Sequence, residues 1–328
     1  MNDRQKIIVV AGARGNLGKL ICDALLERAR NDGQAVLVRG LVRKNGAHVV
    51  SADAPTGSAN QQLTIEAVDY HSDTDLERVC AGAYCVVSAL QGLEDVIAGV
   101  QSRLLNAAIK AGARRFVPTD YSLDFTKLPV GGNRNFDLRS TFHQRAAEII
   151  QQSNSNIGFT SIFQGAFTEL LGTGWVLFDY KKRRVNYFGS ADTVMEFTTT
   201  ANTAEFTAAV AMDPNPTPRK LLIAGTRVTP KQAQEVAKRV TGVDFGLKRM
   251  MSLGMMRVVI AVMRFFKPGK KDEVMPMWVG MQYGYCMALG VASPERLDND
   301  RYQGIRWTGP DEVIRKAFDA EVASERRP

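Results

Sequence analysis

The sequence has few of the residues that build disulfide frameworks or metal centres. It contains only four cysteines and three histidines in 328 residues. No Cys-x-x-Cys pair occurs, and no histidine is spaced from a cysteine as in a zinc site. We therefore expect reduced core thiols and no metal. The four thiols belong to Cys22, Cys80, Cys85 and Cys286.

Long hydrophobic runs are also missing. Residues 1–6 are polar and lead directly into a short apolar run at 7–10, without the longer run that a secretory signal needs. The longest apolar stretch, residues 250–266, is interrupted by Arg257 and Arg264. A membrane-spanning helix needs about 20 mostly apolar residues. We therefore expect a cytoplasmic protein with no integral membrane segment.

The composition fits a folded protein that attracts anions. Apolar residues make up 45% and charged residues 23% of the chain, which excludes wholesale disorder. Lysine and arginine outnumber aspartate and glutamate by 42 to 34, for a net charge of +8. A phosphorylated cofactor would suit this surplus as well as nucleic acid would. The basic run at 181–184 fits a solvated hairpin or loop, so we expect no nucleic-acid partner.

The first half of the chain alternates β-rich runs with helical patterns. Six runs predict strands, at residues 7–11, 36–42, 63–68, 84–89, 116–118 and 159–163. Helices are predicted between them, at 17–31, in a short segment that Asp75 caps, at 96–110 and at 136–151. This alternation predicts an α/β fold with a parallel, doubly wound sheet, in which ligands bind at the carboxyl ends of the strands.

The second half of the chain is less regular. A strand at 220–224 and a helix at 230–240, opened by Thr229 and Pro230, are its clearest elements. We predict a dinucleotide-binding domain at residues 1–165 and a smaller α+β substrate-binding lobe at 166–328, with some sheet strands shared. The sequence does not decide whether the chain forms a homo-oligomer, which stays a possible assembly.

A glycine-rich turn is the strongest chemical signal. Gly12, Gly15 and Gly18 lie between the first strand and the first helix. The first glycine allows a tight turn, the second lets the backbone approach a pyrophosphate, and the third lets the helix pack close to the sheet. The start of a helix offers free N–H groups to phosphates. The turn therefore predicts dinucleotide binding, with Arg14, Asn16 and Leu17 contributing from inside it.

The end of the second strand predicts which dinucleotide binds. An NAD site usually carries an acid there, to hold the ribose 2′-hydroxyl. Asp32 precedes the strand and is not that acid, whereas Arg43 and Lys44 follow it and suit a 2′-phosphate. We therefore predict NADP(H), with Arg14 as a candidate third cation, the alternative being that these cations are only solvated. Asp69, after the third strand, either reaches the adenine region or caps a turn.

Motifs spread along the chain resemble the NmrA-like, isoflavone-reductase-like branch of the atypical short-chain dehydrogenases. The glycine turn, residues 41–43, 87–91, 115–121 and 197–204, and the stretch 221–242 carry this likeness in order. The resemblance implies a Rossmann domain that binds NADP(H), with a small carboxyl-terminal lobe closing over the nicotinamide. It also implies a set of residues lining the cofactor and substrate cleft: Ala89, Leu90, Gln91, Thr119, Asp120, Tyr121, Phe163, Gln164, Gly165 and Ala166.

The catalytic residues are less clear. No tyrosine is followed four residues later by lysine, so the ordinary short-chain dehydrogenase mechanism is absent. Isoflavone-reductase-like enzymes instead carry a lysine early in the helix after the fifth strand, and Arg139 aligns with it. Arginine stays protonated and suits stabilisation of an oxyanion. His143, one turn later, and Tyr121 are candidate proton donors, although a lone histidine is more often structural.

The carboxyl-terminal part is rich in methionine. Nine of the twelve methionines lie at 250–287, among aromatic residues. Such a segment forms an adaptable core, a subunit contact or a pocket wall for an apolar substrate, and membrane-surface contact is a lesser alternative. The sequence thus predicts an NADPH-dependent reductase of a small apolar, aromatic carbonyl or conjugated substrate. The alternative is a non-catalytic NAD(P)-binding redox sensor.

Overall fold

The computed structural model describes residues 5–44, 56–57, 60–173 and 177–325. A central sheet lies in the order β3-β4-β2-β1-β5-β6-β7. All neighbours are parallel except the short β3, which pairs antiparallel with β4. The seven strands are β1 Lys6–Ala11, β2 Val36–Arg43, β3 Thr56–Gly57, β4 Gln61–Val68, β5 Ala83–Ser88, β6 Arg115–Val117 and β7 Gly158–Phe159.

The predicted doubly wound α/β fold is confirmed. The strand order reverses at β1, whose neighbours are β2 on one side and β5 on the other. Crevices at such a reversal are where ligands bind in these sheets. Along the described chain, the first five α-helices are α1 Asn16–Asn31, α2 Asp73–Cys80, α3 Gln101–Lys110, α4 Arg134–Gln152 and α5 Thr200–Met212.

The helix boundaries follow the sequence signals with two exceptions. A π-helical turn at Asp95–Val100 precedes α3, where the sequence predicted one continuous α-helix. Asp75 is not the cap of α2, as predicted. Ser72 is the cap, and its hydroxyl accepts from the Asp75 backbone N–H at 3.2 Å. A serine hydroxyl caps well from this position, and Asp75 instead lies in the first turn.

The predicted strand at 159–163 is divided in two. The Thr160 N–H donates to the Phe116 carbonyl in the central sheet at 3.1 Å, whereas the next N–H, of Ser161, donates to the Arg219 carbonyl at 2.9 Å. The chain therefore leaves the sheet after β7. The strand that follows, β8 Ser161–Phe163, pairs with the late strand Lys220–Leu222. Periodicity alone could not reveal this change of partner.

The rest of the chain forms the predicted α+β elements. Small sheets lie in the orders β10-β11-β15, β14-β12-β9 and β13-β8. Residues 181–183 form the turn between β10 and β11, so the basic run is a hairpin as expected. The strands are β9 Ala166–Phe167, β10 Phe178–Asp179, β11 Arg184–Phe188, β12 Met195–Thr198, β13 Lys220–Leu222, β14 Thr226–Val228 and β15 Gly246–Met251; the helices are α6 Pro230–Thr241, α7 Leu253–Phe266, α8 Met277–Leu289 and α9 Pro310–Glu325.

Thr229 and Pro230 open α6 as predicted. The Thr229 hydroxyl accepts from the Gln232 N–H at 3.1 Å, and the Gln232 side chain accepts from the Thr229 N–H at 2.9 Å. This reciprocal pair is a capping box, which supplies hydrogen-bond acceptors to two N–H groups that have none within the helix. Gly242 ends the helix in the left-handed conformation, with a φ of 73°.

Two compact units divide the chain. The first comprises residues 1–121, 138–162 and 203–221, and the second comprises 122–137, 163–202 and 222–328. The first unit therefore includes a late segment that lies beyond the predicted boundary at residue 165. Arg115, only 4% exposed, holds this segment to β6: its guanidinium donates to the Thr217 hydroxyl at 2.8 Å and the Asn215 carbonyl at 2.7 Å.

Each unit has its own apolar core. The first is built on the central sheet, around Val9, Val86, Phe116 and Phe142. The second unit contains a cluster around Phe178, Phe197 and Phe245 and another around Phe125, Phe136 and Phe163. All four cysteines are buried and unbridged, as predicted. Burial raises the pKa of Cys22 to about 12, so the thiol stays protonated.

The methionine-rich segment forms α7 and α8, which pack against each other. Met256 and Ile260 are the buried residues of α7, and Trp278 and Val279 are among those of α8. Met256 therefore belongs to a core, whereas Met250, Met255, Met275 and Met277 are exposed, so the subunit contact and the pocket wall stay predictions. Across the described ranges, no helix has the length and hydropathy needed to cross a membrane.

Candidate functional site

The glycine turn between β1 and α1 has the geometry that its residues predict. Gly12 has a φ of +84°, in the left-handed region, and a Cβ there would lie 2.8 Å from the Ala89 carbonyl oxygen. A Cβ at Gly18 would lie 2.1 Å from the Gly12 carbonyl oxygen. These two positions therefore admit only glycine without movement of the backbone, and they bring α1 close to the sheet.

The beginning of α1 is open to a ligand. Gly15 occupies the N-cap, no side chain caps the helix, and its first turn carries no acidic residue. Arg14, Gly15 and Asn16 are exposed, and Leu17 is half-buried. The first N–H groups of a helix have no partner within it and carry partial positive charge. This turn can therefore hold an anion such as a pyrophosphate.

A groove at the carboxyl ends of β2, β4 and β5 has a volume of about 230 Å³. It contains five residues that the sequence assigned to the cofactor, contributed by three separate segments of the chain. The other lining residues had not been predicted. The predicted set is Arg43, Lys44, Asp69, Leu90 and Gln91, and the additional set is Val68, Tyr70, His71, Asp95, Val96 and Val100.

The two cations of the groove are exposed. In the described part of the chain, no carboxylate lies within 4.0 Å of the Arg43 guanidinium, and the Lys44 ammonium lies 4.0 Å from Asp75. An arginine with this freedom can form the bidentate contact that phosphates favour. Asp32, by contrast, follows α1 at the opposite edge of the sheet and pairs with Arg28 at 3.4 Å. Both cations are therefore available to an anionic ligand, and their contact with a 2′-phosphate stays a prediction.

Asp69 caps a turn and also lines the groove. Its carboxylate accepts from the His71 N–H at 2.9 Å, and its own N–H donates to Asp75 at 3.0 Å. The two alternatives that the sequence left open are thus compatible. The capping role is observed, and contact with the adenine stays a prediction.

Tyr70 is a site residue that the sequence analysis missed. Its hydroxyl accepts from the Gly12 N–H at 3.2 Å and donates to the Leu41 carbonyl at 3.2 Å. Burial raises the pKa of this phenol, so it remains a neutral donor. Tyr70 thereby fixes the glycine turn to the end of β2. The available signal was an aromatic residue two positions after the third predicted strand.

Gln101 is a second residue that the sequence did not reveal. It is fully buried in α3, and its side-chain oxygen accepts from the Thr119 N–H at 3.1 Å. The Thr119 hydroxyl in turn donates to the Leu90 carbonyl at 2.8 Å. A buried polar network of this kind rigidifies the groups it joins. It connects the segments after β5 and β6, both of which the family resemblance assigned to the cofactor cleft.

Arg139 and His143 lie on the same face of α4 and contact the segment after β6. The Arg139 guanidinium donates to the Thr119 carbonyl at 3.0 Å. His143 Nε2 lies 2.6 Å from Asp120 Oδ2, and the Ser161 hydroxyl donates to the same oxygen at 2.7 Å. Asp120 is fully buried and orients both neighbours. Its predicted contact with the cofactor stays a prediction.

Tyr121 is buried, with 8% of its surface exposed. Desolvation raises the pKa of its phenol, and the nearby Thr207 hydroxyl offsets only part of that rise. A phenol in such surroundings gives up its proton less readily. The proton-donor role of Tyr121 stays a prediction, and these surroundings favour a packing role instead.

Phe163, Gln164 and Gly165 belong to the second unit. Phe163 packs edge-on against Phe125, with ring centroids 5.4 Å apart, and the Gln164 carbonyl accepts from the Thr198 hydroxyl at 2.6 Å. Gly165 has a φ of +76°, and a Cβ there would lie 2.2 Å from the Glu196 carbonyl oxygen. These contacts give each of the three residues a role in the packing of the second unit. Their contact with the cofactor stays a prediction.

The second unit also contains a small cavity of about 10 Å³, lined by Glu196, Ser293 and Cys286 among others. Such a volume holds at most one water molecule. Glu196 accepts from Ser293 and pairs with Arg227 at 3.2 Å, and burial raises the pKa of its carboxyl. The cavity is too small for a substrate, and the pair is structural.

Comparison with known proteins identifies the family of this chain. The model of the NmrA-like family matches residues 4–250. Among curated proteins, Oxidoreductase swnN of Arthroderma benhamiae is 26% identical over 201 residues, which cover 57% of this chain. The matched region spans only 61% of that relative's own length.

Solved structures show the same fold at low identity. AtPrR2 with NADP+ and (+)pinoresinol has a TM-score of 0.72 at 18% identity, with 96% of this chain and 99% of that chain covered. An isoflavone reductase has a TM-score of 0.69 at 16% identity, with 95% and 99% covered. At these identities the likeness concerns the fold alone.

Proposed function

This chain belongs to the NmrA-like family, and on that premise we propose that it is an NADPH-dependent reductase of a small apolar, aromatic carbonyl or conjugated substrate. The observation that carries the proposal is the uncapped start of α1 beside a groove that ends in Arg43 and Lys44. A pyrophosphate fits the first feature, and a 2′-phosphate fits the second. The similar AtPrR2 structure, which contains NADP+ and (+)pinoresinol, supports this cofactor and an apolar, aromatic substrate.

The chain's own residues have separable roles in this proposal. NADPH supplies the hydride when it is bound. The glycine turn holds the pyrophosphate, while Tyr70 and Gln101 keep the surrounding loops in place. Arg139, a permanent cation, stabilises the negative charge that develops on the substrate during reduction. Asp120 holds the His143 imidazole in one orientation, which suits a proton donor.

A redox sensor is the second candidate function, and Arg139 is the observation that favours it. The family resemblance places a lysine at this position, and arginine cannot exchange a proton at ordinary pH. A sensor needs only to bind the oxidised and reduced cofactors with different affinities. It would regulate a partner protein without turnover.

Turnover with a substrate panel tests the reductase proposal. The purified full chain is mixed with NADPH and with aromatic ketones, enones and quinones, and the loss of absorbance by NADPH is followed. We expect oxidation with at least one member, and loss of that activity in Arg139→Ala with cofactor binding retained. Tight cofactor binding without any turnover, together with a marked preference for one redox form, would instead support the sensor.

Arg43→Ala is expected to weaken NADPH binding by about 10- to 150-fold, because a charge-assisted contact to the 2′-phosphate is worth about 1.5–3 kcal/mol. NADH binding is expected to change little, since NADH has no such phosphate. Titration calorimetry with both cofactors measures the two effects. Arg30→Ala, which removes an exposed arginine near the other end of α1, is the matched control. Equal losses for NADPH and NADH would show that Arg43 does not contact the 2′-phosphate.

A further inference from the structure

The outward face of α7 is apolar along its whole length. Five exposed residues recur at spacings of three and four, so they form one stripe on the helix. The two phenylalanines at its end are 79% and 74% exposed. A surface helix normally turns charged residues to solvent, so this stripe needs a partner. Its residues are Met255, Val258, Val262, Phe265 and Phe266.

The stripe is not the core-facing side of α7. Met256 and Ile260 lie on the other side of the helix, are 1% and 8% exposed, and form its buried side where α7 packs with α8. The helix is therefore already packed in the second unit through one apolar face while it presents another. An exposed apolar face of five neighbouring large side chains indicates an interaction surface.

The charges along the chain from residue 245 to residue 271 are all of one sign. From residue 245 to residue 271 the chain has seven cations and no acidic residue, and acids return only at Asp272 and Glu273. Arg264 stays at the edge of the stripe because its guanidinium lies over the Trp278 ring, 5.3 Å from the centroid. The cations are Lys248, Arg249, Arg257, Arg264, Lys267, Lys270 and Lys271.

We propose that α7 binds an anionic lipid surface, lying in its plane with the apolar stripe among the acyl chains and the flanking cations on the headgroups. An amphipathic helix with cations beside a phenylalanine-containing face binds membranes in this way. With 14 residues, α7 is too short to span a bilayer and can only lie on it. A second copy of the chain fits less well, because a symmetric contact would bring the same cations together.

Vesicle binding tests this assignment with the full chain and no cofactor, so the result is independent of the reductase proposal. The chain is centrifuged with vesicles of phosphatidylcholine alone and with vesicles that also contain phosphatidylserine. We expect binding to be on the order of tenfold stronger or more to the anionic vesicles, and to weaken as salt is added.

Two double variants separate the apolar and the electrostatic contributions. Phe265→Ser with Phe266→Ser is expected to weaken binding by on the order of 10- to 100-fold, since two large apolar side chains no longer enter the lipid. Lys270→Glu with Lys271→Glu is expected to weaken it by at least about tenfold. Arg315→Glu with Lys316→Glu makes the same charge change on exposed residues of α9 and is the matched control. Circular dichroism verifies that each variant folds.

Three results would overturn the assignment. One is equal binding to neutral and anionic vesicles, and another is no binding to either. The third is a concentration-dependent dimer, seen by sedimentation, that the phenylalanine variant dissociates without any loss of vesicle binding. That last result would assign the face to a second copy of the chain.

Discussion

Gly18→Ala is expected to lower the free energy of unfolding by about 3 kcal/mol, because the new methyl group overlaps main-chain atoms. Its Cβ would lie 2.1 Å from the Gly12 carbonyl oxygen and 2.8 Å from the Gly12 carbonyl carbon. Neither atom can move without changing the turn or shifting α1. NADPH affinity should therefore fall as well, by on the order of 100-fold, since displacing a binding loop by about an ångström has effects of that size.

Two measurements check this expectation, and a second glycine supplies the control. Urea unfolding gives the stability of the variant, and calorimetry gives its NADPH affinity. Gly280→Ala in α8 introduces the same methyl group where no atom lies within 4 Å. A helix gains about 0.5–1 kcal/mol from that change, so the control should be as stable as the parent or more so. If Gly18→Ala bound NADPH as tightly as the parent, the proposed role of the turn would be wrong.

Asp120→Ala is expected to have a comparably large effect on stability, about 3 kcal/mol or more. Its carboxylate is fully buried, accepts from Ser161 and contacts His143 at 2.6 Å. Removing one partner of a buried ionic or hydrogen-bonded pair leaves the other without compensation, which costs about 3–5 kcal/mol. Two side chains, those of Ser161 and His143, lose their partner here. Denaturant unfolding measures the effect: the midpoint concentration should fall, while the dependence of the unfolding free energy on denaturant concentration should stay the same.

The matched control for Asp120→Ala is Asp32→Ala. Asp32 pairs with Arg28 at 3.4 Å on the surface of α1, with 38% of its side chain exposed. Exposed pairs of this spacing contribute only about 0.5 kcal/mol. A double-mutant cycle with His143→Ala then isolates the coupling between the imidazole and Asp120, which we expect to be about 1–3 kcal/mol. If Asp120→Ala lost no more stability than the control, the buried network would not hold the site together.

The sequence predicted the part of the site that depends on local structure. A glycine turn needs only seven consecutive residues, and the conformations of Gly12 and Gly18 agree with the prediction. Arg43 and Lys44 were found because they follow a β-rich run. Tyr70 and Gln101 were missed because their roles depend on contacts with Gly12 and Thr119, which lie 58 and 18 residues away. No pattern within a short window contains that information.

The same reasoning explains the errors in the fold. The strand predicted at 159–163 has one continuous β-rich pattern, but its N–H groups change partner after Thr160. Asp75 and Ser72 are both good caps by residue type, and only the backbone conformation selects Ser72. Likewise, the methionine content of α7 predicts an apolar helix but not which of its faces is left exposed.

The sequence by itself determined the parallel sheet, the glycine turn that begins α1 and the cationic end of β2, because each follows from residues that are neighbours in the chain. Only the tertiary structure decided that Asp120, His143 and Ser161 meet, that Tyr121 is buried, and that α7 presents an apolar stripe beside its cations. The physical reason is that burial and hydrogen-bond partners depend on which segments pack together. That choice is made by the whole chain at once.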